Sequence, residues 1–400
     1  MDEREVIHSV ETAARESRSR LISFLAARAG GDVAGAEDAL SEAFVAALEQ
    51  WPVEGVPLKP EAWLLTIARR RLLDAQRRGR TRFNAVESIS HAMDTARCES
   101  ESSHDFPDER LKLLFVCAHP AIDPAVRTPL MLQTVMGIEA DRIAGVFLCS
   151  PAAMSQRLVR AKVKIRDAGI PFAVPAREEW PERLGFVLDA VYAAYTTGWD
   201  TAECVWFARV LAHLLPDEPE VLGLLALILH GHARRDARIR EGKYVPLPEQ
   251  ETNLWDKEIR DQAETILQRA ASFLTPGRFQ LEAAIQSVHA ARAVTGVVNW
   301  QAIARFYDVL VQHTPALGAQ IGRAIAHARW NGSAAGLRML DGLPQQTLLM
   351  HQPYWAARAH FLAETGRKDE ARAAFTRAIG LCDDPAMTAY LGEKLSALAE

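Results

Sequence analysis

The sequence predicts an all-α protein. Ala, Leu, Arg and Glu, all strong helix formers, dominate it. β-Branched runs bounded by turn residues are scarce, and apolar residues recur at helical spacing along most of the chain. Four hundred residues exceed what a single hydrophobic core organises, so several helical domains are expected.

The first clear element is AEDALSEAFVAALEQW, residues 36–51. Ala39, Leu40, Ala43, Phe44, Ala47 and Leu48 form its apolar face, and Glu37, Asp38, Glu42 and Glu49 line the other. Carboxylates beside an aromatic ring repel DNA and suit docking on a basic protein surface.

Trp63 to Arg78, WLLTIARRRLLDAQRR, is an amphipathic helix of opposite sign. Trp63, Leu64, Ile67, Ala68, Leu72 and Ala75 give an apolar stripe. Arg69, Arg70, Arg71, Arg77, Arg78, Arg80 and Arg82 are opposed only by Asp74. A solvated face normally mixes signs, so this excess points to phosphate binding.

Residues 83–107, rich in Ser and acid, have little to bury and read as a linker. In ADRIAGVFLCSPAAMSQRLVRAKVKIR a short helix over Asp141–Phe147 precedes a turn at Leu148–Ser150. Pro151 then opens a second helix, where its missing N–H costs nothing. Ile143, Val146, Met154, Leu158 and Ile165 form the expected core, leaving Ser155, Gln156, Arg157, Arg160, Lys162 and Lys164 exposed. On residues alone this is a helix-turn-helix or a structural αα-hairpin; the polar start and basic end suit entry into a major groove.

Prolines in IPFAVPAREEWPER, residues 170–183, break the helical pattern, and residues 242–256 read as a long loop. Beyond lies a repeat with steps of 34 and 35 residues: Ala302, Phe306, Val309; Gly336, Leu340, Leu343; Ala371, Phe375, Ala378, each followed by a proline. This resembles the tetratricopeptide pattern of paired antiparallel helices, cleanest in the final copy. The expected domains are 1–82, 108–172 and 184–400, with linkers at 83–107 and 173–183.

Charge divides along the same lines. Residues 1–82 balance at 13 basic and 13 acidic; residues 83–109 carry one basic and seven acidic; residues 110–172 carry nine basic and four acidic. A nucleic acid would therefore meet residues 69–82 and 157–166. The five scattered cysteines include no CxxC pair, which suits reduced thiols in a cytoplasmic protein. No signal peptide or membrane-spanning run is apparent.

Enzyme signatures (GxxxxGK[ST], GxGxxG, HExxH, GxSxG) are missing. His230 and His232 stand two apart, a spacing that points them apart on a helix, and Cys117 beside His119 has apolar flanks that suit a buried thiol. No catalytic residue, metal or cofactor is expected.

Taken in order, these motifs resemble the extracytoplasmic-function class of bacterial sigma-70 factors. Asp38, Glu42, Phe44 and Trp51 match the helix that binds the clamp of core RNA polymerase. Trp63, Ile67, Ala68, Arg69, Asp74, Arg77 and Arg78 match the helix that reads and melts the promoter −10 element, which implies DNA contacts by Trp63, Arg69, Arg70, Arg71, Arg77 and Arg78. Ser150 to Arg166, with Leu158, Arg160 and Ala161 matching best, resembles the −35 recognition helix, which implies DNA contacts by Ser155, Gln156, Arg157, Arg160, Lys162 and Lys164. The remainder, through LLPDEPEVLGLLALIL and QPYWAARAHFLAETGRKDEARAAFTRAIGL, resembles the subgroup with a long tetratricopeptide-like C-terminal extension. The resemblance implies three all-α parts: a region 2 domain, a region 4 helix-turn-helix and a regulatory repeat domain. It implies a non-enzymatic initiation factor whose partners are the clamp of the largest polymerase subunit, the flap of the second largest, and promoter DNA. A protein or small-molecule ligand on the repeats is a further expected partner. The alternative is a DNA-binding regulator or repeat adaptor that never acts as a sigma subunit.

Overall fold

A computed structural model describes residues 3–80, 108–147, 149–196, 201–344 and 348–398. The chain divides into two compact units, Met1–Asp200 and Thr201–Glu400. The expected all-α class holds: helices make up both, and the described strands are one two-stranded hairpin in the second. The expected acidic linker 83–107, Arg82, Leu148 of the expected turn and residues 197–200 lie outside the described residues.

The first unit opens with α1 (Glu3–Arg28), α2 (Val33–Glu54) and α3 (Pro60–Arg80). Between α1 and α2 the chain reverses through Gly30 and Gly31, at φ 65° and 88°. These left-handed conformations favour glycine at both positions. Asp32 then caps α2 by accepting from the Gly35 N–H at 3.0 Å. Leu21, Phe24, Leu25, Leu40, Ala43, Ala47, Trp51, Leu64, Ala68 and Leu72 fill the core of this bundle. The stripe on α3 is narrower than its spacing predicts. Leu65 joins it, Trp63 and Ile67 are half-buried, and Ala75 is exposed.

The unit continues through α4 (Arg110–Cys117), α5 (Pro124–Thr134), α6 (Ala140–Val146) and α7 (Pro151–Asp167). Ser150 caps α7 by accepting from the Ala153 N–H, with Pro151 in the first turn. Ile143, Met154, Leu158 and Ile165 are buried as expected, whereas Val146 is half exposed.

The two compact units divide at Asp200, and residues 177–183 of the expected linker form a 3-10 turn and the first turn of a helix. Pro181 opens α8 (Trp180–Thr196) from its second position, where proline is harmless. The Trp180 indole donates to the Pro175 carbonyl at 2.7 Å and packs 5.4 Å from the Phe115 ring. Arg127 lies 4.6 Å above the Phe186 ring and donates to the Ile122 and Pro120 carbonyls. These contacts make α8 the last helix of the first unit.

In the second unit, α9 (Thr201–Leu214) and α10 (Pro219–His232) precede a hairpin of β1 (Ile239–Arg240) and β2 (Lys243–Tyr244). Helices α11 (Lys257–Ser272), α12 (Arg278–Ala290), α13 (Trp300–His313), α14 (Leu317–Asn331), α15 (Ser333–Asp341), α16 (Gln352–Glu364), α17 (Lys368–Gly380) and α18 (Pro385–Ser396) follow. Helix α10 is buried throughout Val221–Gly231. A Cβ at Gly223 would fall 2.6 Å from the Gln280 backbone nitrogen, so α10 and α12 meet backbone to backbone. Glu220 caps α12, accepting from the Phe279 and Gln280 N–H groups at 2.9 and 3.2 Å. Of the repeat positions, Gly336, Leu340, Ala371, Phe375 and Ala378 are buried. The first copy is displaced by a residue: Ile303, Ala304 and Leu310 are buried, with Ala302 and Phe306 half-buried and Val309 exposed.

Candidate nucleic-acid and protein interface

Helix α2 turns one side to solvent. Asp38, Ser41, Glu42, Val45, Leu48 and Glu49 are exposed at helical spacing, followed by Val53 and the fully exposed Leu58. An apolar ridge flanked by carboxylates is unusual on a protein with no partner, because exposed apolar side chains on one face mark an interface. Glu42 pairs with Arg71 at 3.4 Å, both more than half exposed. Such a pair contributes about 0–1 kcal/mol and exchanges readily.

Two residues expected on this interface sit elsewhere. Trp51 is 1 % exposed and meets Trp63 edge to face at 5.4 Å; it is the core contact that seats α2 on α3. Phe44 is half-buried.

On α3, Arg70 and Arg71 are exposed. Arg69 is half-buried and its guanidinium lies 4.8 Å from the Phe24 ring centroid, a ring also capped by Arg28 at 3.6 Å. This stacking holds Arg69 against the bundle. Trp63 is half-buried. Arg77 and Arg78 lie on the same helix, but their side chains fall outside the described residues.

On α7, Ser155, Gln156, Arg157, Arg160 and Lys164 are exposed, with Val159 among them at 60 %. Lys162 departs from its expected place. It is 7 % exposed, and its Nζ donates to both Glu37 carboxylate oxygens at 2.7 and 2.6 Å. The reason is register: position 162 follows Leu158 by four and precedes Ile165 by three, so it lies on the inward stripe. Lys162 therefore binds α7 to α2. Glu37 is the partner that sequence reasoning missed; nothing in its local pattern distinguishes it from Asp38.

Cys117 is buried against Thr134, with 3.5 Å between sulfur and hydroxyl. Burial pushes its thiol up to about 12, outweighing the hydroxyl contact, so it is a packed thiol and not a nucleophile. Among the described residues no cluster of His, Cys, Asp and Glu could hold a metal ion, and no helix is long and apolar enough to cross a membrane.

If α7 contacts DNA through its outer face, Arg157→Ala and Arg160→Ala each lower the salt slope of DNA binding by about 1. Titrating DNA binding across salt concentrations measures this, and an unchanged slope in both variants counts against that face.

Residues 15–82 match the family model of sigma-70 region 2, which here comprises α2, α3 and most of α1. Residues 183–271 match a family of unknown function, DUF6596. Over 382 residues the chain is 34 % identical to an uncharacterized protein of Rhizobium meliloti (strain 1021), covering 91 % of this chain and 90 % of that protein. No solved structure matches. The chain thus shares a family with the Rhizobium meliloti protein, and its residues 15–82 are similar to sigma-70 region 2.

Proposed function

We propose that this chain is an extracytoplasmic-function-type sigma factor. It binds core RNA polymerase and directs it to a specific set of promoters, with its activity tuned by its own C-terminal helical repeats. The observation that carries this reading is the pairing, within region 2, of an exposed acidic and apolar ridge on α2 with the basic helix α3. A capped helix-turn-helix with an exposed basic face completes the same unit.

Asp38, Glu42 and the Val45–Leu48 ridge dock on the clamp of the largest subunit. Arg70, Arg71 and the arginines further along α3 hold the non-template strand by its phosphates, and Trp63 supports that element from the core. Strand opening is favoured by capture of an unstacked base, which recovers part of a cost of a few kcal/mol. Helix α7 carries the −35 contacts through Ser155, Gln156, Arg157, Arg160 and Lys164, beside the flap of the second-largest subunit. Lys162 is excluded from that set by its burial.

The test is capture by core polymerase. Reversing Asp38 and Glu42 together to lysine is expected to weaken capture at least about tenfold, an interface loss near 1.4 kcal/mol. Both side chains are exposed, so the melting temperature stays close to that of the parent. Wild-type capture by the folded double variant overturns the docking assignment. Promoter binding without any polymerase capture by the parent favours a conventional DNA-binding regulator.

A further inference from the structure

The β1–β2 hairpin is held in place at its tip by side chains of the last helix. Its two central residues, Glu241 and Gly242, have φ 51° and 76°, the left-handed pair that a tight two-residue turn demands. Glycine adopts that conformation freely and glutamate does not. With two residues per strand, such a hairpin has little stability of its own. It persists because Lys243 forms an ion pair with Glu393 and the Tyr244 ring meets Tyr390 edge to face at 6.1 Å.

The receiving surface is built from the last helices of the chain. The Tyr390 ring carries Lys394 5.2 Å from its centroid, and its hydroxyl reaches the His360 Nε2 at 3.5 Å. Glu393 stands three residues along the same helix, about half exposed. The surface therefore offers an aromatic edge beside a carboxylate, a combination that accepts a cation next to a ring.

Tip and base are held differently. At the base, Arg292 donates to the Leu247, Pro248 and Gln250 carbonyls at 3.2, 2.8 and 2.6 Å and lies 5.1 Å from the Trp255 ring centroid. The Val245 N–H bonds the Arg238 carbonyl, and the Asp256 N–H bonds the Ala233 carbonyl, each at 2.8 Å. At the tip, both members of the ion pair are about half exposed, the kind of contact that solvent and salt weaken most.

We propose that the face of α18 carrying Tyr390 and Glu393 is a docking site for an extended peptide, occupied here by the chain's own Lys243–Tyr244. Its external ligand is a protein segment presenting a lysine or arginine directly followed by an aromatic residue, and binding displaces the hairpin. This inference gives chemistry to the partner expected on the C-terminal repeats and stands independently of the sigma assignment.

The probe is a fluorescein-labelled peptide of residues 238–247, RIREGKYVPL, titrated against the full chain by fluorescence anisotropy. A variant with Lys243→Ala and Tyr244→Ala empties the face and is expected to bind the peptide about tenfold more tightly than wild type, which must first release its tip. Adding Glu393→Lys to that variant is expected to reverse the gain, and a peptide with alanine for its Lys and Tyr is expected not to bind. Equal affinity for wild type and the emptied variant overturns the proposal. So does an undiminished affinity with Glu393→Lys, or the lack of binding at about 1 mM peptide. A check free of substitutions uses hydrogen exchange on wild type. Excess peptide is expected to speed exchange over residues 239–244 and leave α16 and α17 unchanged; unaltered exchange in the hairpin also overturns it.

Discussion

Acidification from pH 7 to about 4 is expected to unfold the unit of residues 201–400, with the loss beginning below the ordinary histidine pKa near 6.5. Three buried imidazoles drive it. Burial lowers His230 to about 3, with the charges of Arg234 and Arg260 adding to the effect. Burial lowers His289 to about 4, assisted by Arg234 and Arg292. Burial lowers His360 to about 4 as well, assisted by Lys394 and Arg329. Glu264 lies 3.6 Å from the His230 Nε2, too far for a hydrogen bond, and its partial exposure weakens its attraction for an imidazolium. In the folded state all three rings stay neutral below pH 6.5, while the unfolded chain takes up protons there. Stability is therefore fully present above about 6.5 and declines as pH falls, by about 1.4 kcal/mol per pH unit for each histidine. Three together give roughly 4 kcal/mol per unit, set against a domain stability of about 5–15 kcal/mol. Circular dichroism against pH measures the midpoint. His230→Leu removes one of the three protons and is expected to move that midpoint to lower pH; an unmoved midpoint rules out His230 as a contributor.

The start of helix α7 was legible almost to the residue, because it rests on local chemistry. Ser150 caps, Pro151 fits the first turn, and Met154, Leu158 and Ile165 keep a helical interval. Helix α8 was hidden by its prolines. They do break the chain over 171–176, but Pro181 falls where a helix tolerates it, and only the docking of Trp180 on Phe115 reveals the boundary. Trp51 and Lys162 misled for opposite reasons. Trp51 has the aromatic character of an anchor, yet its ring completes the α2–α3 core. Lys162 has the charge of a phosphate contact, yet its register points it inward. In both, residue type suggested one environment and tertiary packing imposed another. The β1–β2 hairpin left no trace in the sequence, since strands of two residues have no period to detect and depend on α18 for support.

Lys162 also carries the second large effect. Replacing it with alanine is expected to destabilise the first unit by about 2–3 kcal/mol in urea unfolding. Removing one member of a fully buried ion pair costs about 3–5 kcal/mol, because the other charge is left without compensation. The orphan here, Glu37, keeps a side chain 19 % exposed, so water recovers part of its solvation and the loss is smaller. Glu37→Ala is expected to cost more, because the ammonium it abandons is the more buried partner at 8 %. Replacing both, with Glu37→Leu and Lys162→Met, leaves no orphaned charge and is expected to return stability to within about 1 kcal/mol of wild type. The cycle decides between two environments for this lysine. A buried tie between α2 and α7 predicts single losses that are largely cancelled in the double variant. A phosphate contact predicts undiminished stability with Lys162→Ala and a salt slope of promoter binding lower by about 1. The bidentate bond to Glu37 and the inward register of position 162 favour the first, so that a cation of the basic helix α7 serves to hold α2.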